Sequence, residues 1–143
     1  MKPAAALFAA AGLLAAGPAV SDDHLTNAPE GAEVYFISPT DGETVSNPVT
    51  IRFGARGIGV APAGVDMHGT GHHHLLINVE PDAELLSESL PADDRHVHFG
   101  GGQTEATLDL PSGRHRLQLL MGDMNHGPHA PPVMSEPIFV TVE

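Results

Sequence analysis

Ten histidines and no cysteine stand in this chain. The histidines are not scattered. Met67-His68-Gly69-Thr70-Gly71-His72-His73-His74 runs from a glycine-punctuated stretch into the apolar Leu75-Leu76-Ile77. His96-Val97-His98 follows, and then Asp123-Met124-Asn125-His126-Gly127-Pro128-His129. Imidazole is a good ligand for zinc, copper and nickel, and a His-x-His pair on a strand puts two rings on one face. Without thiolate, a metal here must be held by imidazole, carboxylate, thioether or backbone oxygen. The spacing therefore points to a copper or zinc ion bound by His72, His74, His96, His98, His126 and His129. Asp123 is placed to ligate directly or to orient an imidazole. Met67 and Met124 lie in the same loops, where thioether favours copper. No catalytic residue is assigned. The chain has no Gly-x-Ser-x-Gly and no glycine-rich loop with the lysine of a phosphate site.

Those residues need a frame, and the alternation of apolar residues supplies an all-β one. Strands are expected at 34–38, 49–54, 72–79, 96–99, 105–110, 114–121 and 137–142. Val49, Ile51 and Phe53 face the core, as do His73, Leu75, Ile77 and Val79, while His72 and His74 take the other face of their strand. Val97 and Phe99 point inward, so His96 and His98 point the other way. Residues 81–90, between two prolines, have the pattern of one or two helical turns. Seven short strands with turns between them favour a small antiparallel, immunoglobulin-like β-sandwich. If the strands alternate in direction, the loops before 72, after 98 and after 121 share one end, which gathers the three histidine clusters. His115 begins its strand at the opposite end and takes no part.

The totals bound the rest. The chain is long enough for one domain with a modest core. Lys2 followed by the apolar Ala4–Ala16 resembles a secretory signal, too short to span a bilayer. The expected organisation is a signal peptide at 1–21, a flexible polar leader at 22–33 and the sandwich domain at 34–143. Export without cysteine suggests a bacterial periplasm or medium. A formal net charge of −12 argues against nucleic acid and anionic lipid as partners. After signal cleavage no segment is suited to a membrane. The expected partners are a metal ion and, for delivery or sensing, a periplasmic protein.

Longer motifs carry a resemblance. These are Gly59-Val-Ala-Pro-Ala-Gly64, Gly69-Thr-Gly-His-His-His-Leu-Leu-Ile77, Leu90-Pro-Ala-Asp-Asp-Arg-His96, His98-Phe-Gly-Gly-Gly-Gln-Thr-Glu105, and Gly122-Asp123 with His126, Pro128-His129 and Pro131-Pro-Val-Met-Ser-Glu136. Over residues 58–142 the chain resembles an exported bacterial domain-of-unknown-function family, number 4399. The resemblance implies a small secreted or periplasmic β domain and no established activity. It marks His72, His73, His74, His98, His126 and His129 as motif positions, and does not extend to Met67, His68 or Met124. Three functions fit the sequence. The first is metal binding for sequestration, delivery or sensing. The second is a mononuclear metalloenzyme, oxidoreductase or hydrolase, using the same cluster. The third is a non-metal module for a small ligand or a protein.

Overall fold

A computed structural model describes residues 24–143, so the segment expected as a signal peptide lies outside the described residues. Two sheets face each other. One holds β1 (Glu33–Ser38), β3 (Val49–Arg56) and β7 (Glu105–Leu108), in the order β1-β3-β7. The other holds β2 (Thr44–Val45), β9 (Ile138–Val142), β8 (Gly113–Gly122), β5 (Thr70–Ile77) and β4 (Gly59–Val60) in that spatial order, and β6 (His96–His98) also pairs with β5. The pairings are antiparallel except for the short β2–β9 and β4–β5 contacts. The result is an all-β, sandwich-like fold. No helix among the described residues is long and apolar enough to cross a membrane.

Alternation builds the core. Ile51 and Phe53 from one sheet meet Leu75, Leu117, Leu119 and Met121 from the other, all essentially inaccessible to solvent. Each such side chain contributes about 1.5–3 kcal/mol when buried. A slip by one residue would turn a whole set outward, so the register is strongly specified. In that register His72 stands opposite Gly122, His74 opposite Leu120 on one side and His98 on the other, and Leu76 opposite His96.

The second face of the β5–β8 sheet is also covered. Leu76 and Leu120 pack with Leu90, Leu85, Leu86 and Val79 from the segment after β5. This is why β5 is buried on both sides from Gly71 to Ile77. Three local expectations change. Val79 does not join the main core: β5 ends at Ile77, and Asn78 takes a positive φ of 56°, which turns Val79 to the other face. Residues 81–90 form turns with one helix-like bond, from Leu86 N–H to the Asp82 carbonyl, and no helix. The stretch 24–33, expected to be flexible, is tied down. Ala28 N–H donates to the Ala130 carbonyl, and Ala130 N–H donates to that of Thr26. A polar segment with few apolar side chains can still be fixed when its backbone groups find partners on a neighbouring loop.

Candidate metal centre

β5 supplies His72 and His74 on one face, two residues apart, and the turn after β8 supplies His126. His74 Nε2 lies 2.9 Å from His72 Nε2, and His72 Nε2 lies 3.0 Å from His126 Nδ1. One ring nitrogen from each residue lies within 4.8 Å of the others, so this cluster can hold a metal ion. His72 and His74 are fully buried, and His126 is half-buried. The rings meet edge-on, 4.5 Å apart between His72 and His74 and 4.8 Å between His72 and His126.

Proximity of strands alone does not aim the rings. Gly122 admits His74: a Cβ there would stand 2.2 Å from His74 Cε1 and 2.8 Å from Nδ1. His126 is held by its turn. Asp123 Oδ1 accepts hydrogen bonds from the backbone N–H groups of Asn125 and Gly127, and its Oδ2 accepts one from the Thr26 hydroxyl. The same turn places His126 at a φ of 65°, a left-handed conformation that costs a non-glycine residue about 1–2 kcal/mol. Asp123 thus orients His126 through the backbone. Burial alone would raise the Asp123 pKa, but the bonds from Thr26, Gly127 and Asn125 outweigh it and hold the carboxyl below its ordinary value.

His72 and His74 are poised neutral. Burial, and next the proximity of His126 and His98, lower the His72 pKa to about 4. Burial, and next His72, His98 and His126, lower that of His74 to about 2. At pH 7 these rings carry lone pairs, the form that binds a metal. Hydrogen bonding does not account for the arrangement. A neutral ring nitrogen offers either one proton or one lone pair, yet His72 Nε2 has two nitrogen neighbours. It pairs fully with only one of them. In a tetrahedral zinc site with Zn–N bonds of about 2.0–2.1 Å, the ligand nitrogens are about 3.3–3.4 Å apart. The two close separations need open by only a few tenths of an ångström to reach that value.

The other expected ligands are placed differently. His98 stacks on His74 and His126, with centroids 4.2 and 4.7 Å away, but its Nε2–H donates to the Pro91 carbonyl at 2.6 Å. Its ring walls the cluster, with Nε2 committed elsewhere. His96 sits two residues further along, and its Nδ1 is paired with Asp93 at 2.8 Å. His129 is buried, but it packs by Gly71 and Met121 on the core-facing side of β5. Met67 and His68 are exposed and line a surface hollow with Met124. His115, at the other end of β8, is satisfied: it accepts from Asn78 Nδ2 at 3.0 Å and donates to the Pro111 carbonyl. Gly122 and Pro91 fall within the sequence motifs, but their roles, and that of Thr26, emerge only from the fold. The leucines at 85, 86 and 90 of the segment that covers this face are the signal present in the sequence for it.

A family model for a domain of unknown function, DUF4399, matches residues 51–143. The chain belongs to that family. The matched span contains every histidine of the cluster and its immediate surroundings. No curated protein and no solved structure matches the chain.

Proposed function

We propose that this domain binds one copper or zinc ion through His72 Nε2, His74 Nε2 and His126 Nδ1, in the periplasm of a bacterium or outside its cell, and that it serves to sequester, deliver or sense the metal. One observation carries the reading. Three imidazoles, two of them fully buried, converge at one site, where hydrogen bonds among them leave part of their capacity unused. Leaving buried polar groups underused costs about 1–3 kcal/mol each. A cation with imidazole preference removes that cost. The absence of thiolate, together with the three nitrogens, favours copper and zinc over metals that demand sulfur or six oxygens.

A set of three protein ligands also leaves a fourth position, as in catalytic zinc centres. That feature favours a mononuclear metalloenzyme as the second reading. The His98 ring against His74 and His126 restricts the room there, which supports the carrier over the enzyme.

The test is a metal titration of tag-free apoprotein with Zn(II), Cu(II) and Cu(I). The reading expects about one equivalent of Zn(II) or Cu(II), weakened at least tenfold in His72→Ala and in His126→Ala and unchanged in His115→Ala. Weak binding indifferent to all three substitutions would contradict it.

A further inference from the structure

On the opposite face of β5 from the proposed ligands, two more histidines are buried without a hydrogen-bond partner. His73 and His129 are at most 1% exposed, and none of their four ring nitrogens has a hydrogen-bond partner in the protein. A core histidine ordinarily satisfies at least one nitrogen on a backbone carbonyl, as His115 does with Pro111. Two wholly unpartnered rings at the start of one strand are a conspicuous departure from that rule.

Met121 neighbours each of them. It is the cross-strand partner of His73, so the two side chains emerge side by side on the core face. A methyl group placed on Gly71 would lie 2.7 Å from Met121 Cγ and 3.0 Å from His129 Cε1. Met121 and His129 therefore flank the same small space, on the face that carries His73 two residues further on. The Phe53 ring lies 4.6 Å from that of His73, and Phe99 lies 4.9 Å from Phe53. The loop bearing His129 is pinned on both flanks, by the bridge of Pro128 to Gly122 and by that of Ala130 to Asn27.

We infer that Met121, with His73 and His129, forms a second metal site, selective for a soft monovalent ion such as Cu(I) or Ag(I). A thioether beside two buried imidazoles suits a d¹⁰ monovalent cation of low coordination number. It suits Zn(II) poorly, because zinc prefers four ligands of nitrogen, oxygen or thiolate. A single positive charge is also the least costly to bury. This site is separate from the His72–His74–His126 cluster and stands or falls independently of it.

Ag(I), which is stable in air, is the probe, with the chain labelled at the methionine methyl carbons. The expected result is a second Ag(I) equivalent that shifts the Met121 methyl signal and persists in the His72→Ala/His126→Ala double variant. Met121→Leu conserves the core volume. It should weaken that equivalent at least tenfold while leaving Zn(II) binding unchanged. If Met121→Leu fails to fold, the methyl signal of the unsubstituted chain decides. An unmoved Met121 methyl at two equivalents of Ag(I) would overturn the inference. So would unaltered Ag(I) affinity in folded Met121→Leu.

Discussion

Replacing Gly122 by alanine adds one methyl group where the His74 ring already lies. The added carbon would stand 2.2 Å from His74 Cε1, and ordinary contact begins near 3.4 Å. The ring must therefore retreat by about 1.2 Å, or the strands must part. Neither is easy, because His74 is fully buried and β5 is paired on both edges. Overpacking of this kind costs about 1–3 kcal/mol. For a domain of this size that lowers Tm by roughly 4–15 °C. The functional effect should be larger. Metal–ligand distances tolerate only about 0.2 Å, so a ring displaced by an ångström no longer ligates, and affinity should fall on the order of 100-fold. Gly100→Ala is the control: its Cβ would meet only Ala63, at an ordinary 3.5 Å. Thermal unfolding of the apoproteins and competitive zinc titration of both variants supply the readouts. If Gly122→Ala matched Gly100→Ala in Tm and in zinc affinity, His74 would not lie over Gly122 and the account of how the ring is aimed would fail.

Other consequences follow from the same geometry. Asp123→Ala removes the acceptor for Thr26, Asn125 and Gly127; zinc affinity should fall about 10- to 100-fold with little change in stoichiometry, as for other residues that orient a ligand. At position 126 the left-handed φ penalises any side chain, so His126→Gly should be more stable to urea than His126→Ala by about 1 kcal/mol, although both lose the ligand. The burial of His72, His73 and His74 depresses all three pKa values below the ordinary 6.5. The unfolded chain therefore takes up protons first as pH falls. Apoprotein stability should be full above pH 6.5 and decline toward pH 4, which urea midpoints across that range will show. A flat profile would mean that the rings are more solvated than they look. Zinc at 100 times its Kd should stabilise the fold by about 2.7 kcal/mol, and a chelator should reverse the gain.

Strand alternation made much of this molecule legible in the sequence. The pattern of Val49, Ile51 and Phe53, and that of Leu117, Leu119 and Met121, is a direct record of which side faces the core. The alternation also placed His72 and His74 on one face, and the expected direction of the strands put the beginning of β5 beside the end of β8, as the His72–Gly122 register has it. Local patterns could not reveal what covers that face. The segment after β5 has neither a strand nor a helix period, and its leucines declare a buried side without declaring against what. Nor could they separate histidines by role. His96, His98 and His126 look alike in sequence, yet one pairs with Asp93, one donates to Pro91 and one joins the cluster. Those outcomes depend on turns closed by carboxylates at 93 and 123, each accepting from backbone a few residues downstream. His129 was drawn to the other histidines by its loop, but the return of that loop under Gly71 carries it to the opposite face of β5.

The central claim is that a metal sits among His72, His74 and His126. Crystals of the zinc-loaded protein, measured on either side of the zinc absorption edge, test it most directly. The account predicts an anomalous peak about 2.0–2.1 Å from His72 Nε2, His74 Nε2 and His126 Nδ1, with the His98 Nε2–H still on the Pro91 carbonyl. A peak confined to exposed histidines such as His24 or His68, with the three rings still paired nitrogen to nitrogen, would contradict it.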